Sequence, residues 1–79
     1  MTVKVLFFGA VADATGIRET RLELEPPSTA ADAFGRILYI YPNLSGQGLF
    51  YAVNHEYATG TEALADCDEL AIFTAVSGG

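Results

Sequence analysis

Glu19-Thr20-Arg21-Leu22-Glu23-Leu24-Glu25-Pro26-Pro27-Ser28-Thr29-Ala30-Ala31-Asp32-Ala33-Phe34-Gly35-Arg36-Ile37-Leu38-Tyr39-Ile40-Tyr41-Pro42 decides the fold, because the period of its apolar residues changes once along it. Over residues 19–25 the side chains alternate, with Thr20, Leu22 and Leu24 on one side and Glu19, Arg21, Glu23 and Glu25 on the other. That spacing predicts a strand with one face in solvent. Pro26 and Pro27 end it, since proline has no N–H to give to a ladder. Ala30, Ala33, Phe34, Ile37, Leu38 and Tyr41 then recur at helical spacing and build one apolar stripe, which Pro42 closes. Thr29 followed three residues later by Asp32 forms a capping-box start, with Asp in place of the usual Glu. Gly35 inside this helix costs up to ~1 kcal/mol relative to alanine, so packing rather than propensity must hold it.

Outward from this core, Thr2 to Phe8 is β-branched and aromatic and reads as a strand. Residues 9–17 connect it to the next, with a helical turn around Ala10 to Ala14 ended by Gly16. On the far side a loop over Asn43 to Gly48 leads to a strand at Leu49 to Val53. This turns at Asn54-His55 into a short strand at Glu56 to Ala58. A loop with a helical turn, Thr59 to Asp68, precedes the last strand, Glu69 to Ala75. One long helix for several strands excludes a doubly wound sheet and predicts an α+β roll. The first and last strands are the most apolar, which puts them side by side and parallel in the middle of the sheet. The expected architecture is a β-grasp, or ubiquitin-like, roll: a mixed sheet of four or five strands on one main helix, with a flexible Gly-Gly tail over residues 76–79.

With 79 residues the chain is expected to be one domain, residues 1–79, that buries roughly 60 to 65% of its unfolded surface. Cys67 is the only cysteine and His55 the only histidine, so neither an internal disulfide nor a four-ligand metal site is available. This usage suits a reducing cytoplasm. The longest apolar run, Val5 to Ala12, is far shorter than the ~20 residues that span a bilayer, and no targeting segment is read. The formal charge of −6 repels phosphate backbones and anionic lipid, so neither nucleic acid nor membrane is an expected partner. Two roles for that charge stay open: steering towards a basic partner surface, and solubility alone.

Face parity supplies the first functional clue. Lys4 marks the outer face of the first strand, which then also carries Leu6 and Phe8, while Val3, Val5 and Phe7 point to the helix. Glu69 marks the outer face of the last strand, which then carries Ala71, Phe73 and Ala75, with Leu70 and Ile72 inside. An apolar patch on the side of the sheet that no helix covers reads as a docking surface; a bend or loop over Phe8 or Phe73 is the other reading. The second clue is Gly78-Gly79, a pair that chance places at a terminus in about one chain in 200. Without side chains such a strip can enter a narrow tunnel and carry its carboxylate into another protein's active site. An ordinary frayed terminus is the alternative.

The runs Val3-Lys4-Val5-Leu6-Phe7-Phe8, Ala52-Val53-Asn54, and Asp68-Glu69-Leu70-Ala71-Ile72-Phe73 closing on Val76-Ser77-Gly78-Gly79 resemble the small, MoaD-type subunits of molybdopterin synthase over the whole chain. The resemblance implies that a ubiquitin-activating-enzyme-like adenylyltransferase uses ATP to form an acyl-adenylate on Gly79. Sulfur transfer then turns it into a thiocarboxylate, which donates sulfur to precursor Z inside the large synthase subunit. It further implies a heterotetramer of two large and two small subunits, with no bound cofactor or metal and with the catalytic groups on the partners. Residue by residue, Gly79 matches the sulfur-bearing position and Gly78 its tunnel neighbour. Val76 and Ser77 belong to the same tail, and Leu6, Phe8 and Phe73 to the docking face. Three positions depart from the pattern. Ala12 stands where a basic residue is common, and Thr74-Ala75 where two prolines are common. Cys67 stands where glycine is common in a turn, and a left-handed conformation there costs roughly 1 to 2 kcal/mol.

Other chemistry is thin. Asp66 and Asp68 disfavour the Cys67 thiolate, His55 beside Asn54 reads as a turn residue, and Asp66, Asp68 and Glu69 read as a solvated acidic turn. Three further functions stay open: a sulfur carrier of thiamine or tRNA-thiolation type, a ubiquitin-like protein modifier, and a plain interaction domain.

Overall fold

The computed structural model describes residues 1–74. The apolar first strand, β1 (Thr2–Phe7), is followed by a short helix α1 (Ala10–Thr15) and the alternating strand β2 (Glu19–Glu23). The main helix α2 (Ala30–Ile40) follows, then a 3-10 turn at Pro42–Leu44. The strands β3 (Leu49–Val53), β4 (Glu56–Tyr57) and β5 (Glu69–Thr74) complete the order. The strands form one sheet in the order β2-β1-β5-β3-β4, with β1 and β5 parallel and side by side at its centre and the other pairs antiparallel. This is the expected β-grasp roll.

Its core is built by the parity the sequence shows. Val3, Val5 and Phe7 of β1, Leu70 and Ile72 of β5, and Leu22 of β2 are buried against Ala33 and Ile37 of α2. Helix α2 begins with the full capping box: the Asp32 N–H donates to the Thr29 hydroxyl oxygen at 3.3 Å, and the Thr29 N–H donates to the Asp32 carboxylate at 2.8 Å. Two aromatic contacts hold the helix on the sheet: Phe7 of β1 meets Tyr41, at the end of α2, edge-on at 5.5 Å, and Phe34 of α2 stacks on Tyr51 of β3 at 4.5 Å.

Several boundaries differ from expectation. Phe8 and Leu24 lie just past their strands, and β4 stops at Tyr57 rather than Ala58. Residues 59–68 hold no helical turn. That loop instead runs beside the entry to α2, where the Ala30 N–H donates to the Glu62 carbonyl at 2.9 Å and the Ala31 N–H to the Gly60 carbonyl at 3.0 Å. It thereby satisfies N–H groups that a helix start leaves without partners. Leu44 and Leu64, both read as loop, are buried in the core. Ala75 and the tail at 76–79 lie outside the described residues. Among the described residues, no helix is long and apolar enough to cross a membrane.

Candidate functional site

Strand register gathers the apolar outer face residue by residue. Leu6 pairs with Ala71, Ala71 with Ala52, and Ala52 with Tyr57, which makes one row across four strands. The next row contains Phe50 opposite Phe73. Phe8 continues past β1, its N–H donating to the Ile72 carbonyl at 3.2 Å. Between small alanines stand three rings in contact: Phe50 lies 6.3 Å from Phe73 and nearly parallel to it, and Tyr57 meets Phe73 edge-on at 5.7 Å. Phe50 is 45% exposed and Tyr57 78%, so the cluster meets solvent from its rim while Phe73 is half-buried at its centre; Phe8, past the end of β1, is 51% exposed. A contiguous aromatic face of this kind, on the side of the sheet away from α2, is what a docking surface offers a partner.

Leu6, Phe8 and Phe73 therefore sit on the outer face as parity expects. Among the described residues, Phe50 and Tyr57 pack against Phe73. Phe50 and Tyr57 are the residues sequence reasoning missed. A signal existed for Tyr57: the two-residue turn Asn54-His55 sets Val53 opposite Glu56 and hence Ala52 opposite Tyr57. Phe50 had none, because its place depends on the register between β3 and β5, strands that are distant in sequence. Ala12 lines a groove at the end of β1 together with Leu6, Phe8, Asp13 and Arg18. Val76, Ser77, Gly78 and Gly79 lie outside the described residues, while β5 brings the chain to Thr74, opposite Leu49, one residue from the aromatic cluster.

The opposite end of the sheet is polar and tightly hydrogen-bonded. The Asp66 carboxylate accepts the Thr2 N–H at 2.8 Å. Asp68 accepts the Ala65 N–H at 2.8 Å and the Asn54 side-chain amide at 3.1 Å. Asn54 in turn accepts the Glu69 N–H at 3.0 Å. The Thr2 N–H holds the Asp66 carboxyl below its ordinary range, helped by the Cys67 thiol. Cys67 has φ 71, the left-handed conformation expected of that turn. Its thiol is pushed up, first by the hydrogen bond to Asp66 and then by the charges of Asp66 and Asp68. His55, at φ 73 in the hairpin turn, lies 3.8 Å from Glu69. Among the described residues no group of three or more His, Cys, Asp or Glu side chains is placed to hold a metal ion. These carboxylates build a turn.

The chain matches the ThiS family over residues 5–79. It is 34% identical to a molybdopterin synthase sulfur carrier subunit of Chlamydomonas reinhardtii, with both chains covered completely. Its fold superposes on small archaeal modifier protein 1 (SAMP1) of Haloferax volcanii with a TM-score of 0.89 at 28% identity, again over the full length of both. It also superposes on a chain in the complex of subunits 1 and 2 of molybdopterin-converting factor from Helicobacter pylori, with a TM-score of 0.72 at 22% identity and complete coverage of both.

Proposed function

Since this chain belongs to the ThiS family, with a full-length relative that is a molybdopterin synthase sulfur carrier subunit, we propose that it carries sulfur on Gly79 for molybdopterin synthesis. The observation that supports this best is the aromatic outer face placed beside the root of the tail. Beyond Thr74 the sequence has five more residues and ends on Gly78-Gly79, a reach of about 17 Å when extended. A partner that grips Phe8, Phe50, Tyr57 and Phe73 therefore receives the terminal carboxylate within about 17 Å of Thr74.

The chemistry follows from that carboxylate. It is a poor electrophile until one oxygen becomes a leaving group. The Gly79 carboxylate attacks the α-phosphorus of ATP, pyrophosphate departs, and the acyl-adenylate forms. Hydrosulfide then attacks the carbonyl carbon, the bond to AMP breaks, AMP leaves, and loss of a proton gives a thiocarboxylate. An adenylating enzyme supplies the first step and the large synthase subunit takes up the product, whose sulfur goes to precursor Z. The carrier contributes docking and reach, and the catalytic groups belong to its partners.

The likeness to an archaeal modifier protein favours a second reading, in which the same adenylate ends as an isopeptide bond to a lysine. Intact-protein mass spectrometry after incubation with an activating enzyme, ATP and a sulfur donor separates the two. Exchange of one oxygen for sulfur, followed by conversion of precursor Z with the large subunit, is expected. A tail one residue longer or shorter misplaces the reacting atom by roughly 3.5 Å and should abolish delivery with little change in stability. Covalent conjugates without thiocarboxylate would favour the modifier instead. Sulfur that forms but never reaches precursor Z would move the carrier to another pathway.

A further inference from the structure

Strand β2 lies at one edge of the sheet, where β1 is its neighbour on one side and its other side is open. The bonds that flank this pairing fix which backbone groups are engaged. The Met1 ammonium donates to the Leu24 carbonyl at 2.8 Å, the Leu24 N–H to the Met1 carbonyl at 2.9 Å, and the Phe7 N–H to the Arg18 carbonyl at 2.9 Å. Antiparallel ladders bond every second residue, so Arg18, Thr20, Leu22 and Leu24 turn their backbone groups to β1. The N–H and C=O groups of Glu19, Arg21 and Glu23 therefore point outward along the open edge. Past Glu23 the edge closes, because the Glu25 carbonyl accepts the Ser28 hydroxyl at 2.6 Å.

Helix α2 borders this edge. Glu23, Leu24 and Glu25 line a groove with Ser28, Asp32 and Arg36. Ile40, one turn beyond Arg36 on the helix, is 48% exposed and continues that row. Open ladder groups beside a helix-walled groove are what an extended segment needs in order to join a sheet. We propose that β2 and α2 together bind an extended segment of a partner protein by strand addition. Its residues alternate between the outer face and the groove. Charge states its chemistry. Opposite Glu19, Arg21 and Glu23 it presents basic, acidic and basic side chains, and between them apolar side chains lie over Ile40 and the stem of Arg36. The charged residues of β2 bar indiscriminate pairing at the edge and so select this pattern. A second copy is a poorer occupant. The register that uses all three edge residues of each copy sets Arg21 against Arg21 and Glu19 against Glu23 twice, which repels. The edge lies across β1 from Phe73 and its neighbouring rings, so the inference does not depend on the sulfur-carrier reading.

The probe is the acetylated and amidated pentapeptide Lys-Ile-Glu-Val-Lys, titrated at low salt into the isotope-labelled chain and followed by NMR. Amide shifts are expected at Glu19, Arg21, Glu23, Arg36 and Ile40, with slower hydrogen exchange at the three edge amides. N-methylation of the peptide's glutamate removes the donor aimed at Arg21 and should weaken binding at least tenfold. N-methylation of its valine, whose N–H faces away from β2, should leave binding unchanged. The charge-reversed peptide Glu-Ile-Lys-Val-Glu should bind at least tenfold more weakly. Absence of shifts at millimolar peptide overturns the proposal, as do shifts confined to Phe50, Tyr57 and Phe73 or equal binding of the two N-methyl peptides. Edge shifts that appear when the chain alone is concentrated assign the site to a second copy and overturn it as well. Sulfur loading of Gly79 stands or falls by its own assay.

Discussion

Single residues here do sharply different work on the two faces of one strand. Phe73 and Ile72 are neighbours in β5, yet Ile72 is fully buried and Phe73 is half-buried, packed by Phe50 and Tyr57 on the outer face. Phe73→Arg should keep the circular dichroism spectrum of the fold and weaken binding to the large subunit by about 30-fold or more, the loss of a central anchor worth ~2 kcal/mol. An unfolded variant would show that the ring is core after all. Cys67 supplies the opposite kind of case, a residue whose side chain contributes little and whose backbone is strained. With φ 71 it pays roughly 1 to 2 kcal/mol for a conformation that glycine adopts freely, less what glycine loses through a more flexible unfolded chain. Cys67→Gly should therefore raise stability by about 0.5 to 1 kcal/mol, read as an increase of several degrees in Tm.

Helix α2 and the 59–68 loop show how elements hold each other. The helix carries Gly35 at an exposed position where an added Cβ meets nothing within 4 Å. Gly35→Ala should stabilise by up to ~1 kcal/mol, measured by urea denaturation with an unchanged m-value. Gly60 is the contrasting glycine: φ is 114, and a Cβ there would sit 3.0 Å from the Tyr51 hydroxyl, so no alanine fits without displacement. The loop is tied by carboxylates. Glu62 is held below its ordinary range, first by the Thr59 N–H and also by the Gly60 N–H, and Asp66 by the Thr2 N–H. Both carboxyl groups bind protons more weakly folded than unfolded. The stability they contribute is complete above their unfolded values, near pH 4, and is lost as pH falls through the lower folded values. Asp66→Asn should flatten that acid limb in a pH series of thermal melts; an unchanged limb would show that Asp66 does not couple folding to protonation.

At the scale of the whole molecule, the chain carries a formal charge of −6. If that charge steers encounter with a basic activating enzyme, raising ionic strength should slow association by about tenfold or more between low and physiological salt while dissociation changes little. Stopped-flow mixing measures both rates. An association rate indifferent to salt would leave solubility as the role of the acidic balance.

The sequence by itself determined the elements and their inward faces. The alternation of residues 19–25, the stripe from Ala30 to Tyr41 and the Thr29 to Asp32 cap all act within a few residues of themselves, where strand and helix periods fix which side chains share a side. It also determined that β1 and β5 lie centrally, because strands apolar on both faces sit in the middle of a sheet. The tertiary structure alone decided which outer residues meet. Phe50 joins Phe73 through a register set between β3 and β5. Leu44 and Leu64 enter the core from segments without periodicity, because the helix and sheet leave spaces there that only an apolar side chain can fill. Such placements depend on contacts between residues far apart in the chain, and a local pattern records nothing about partners it does not contain.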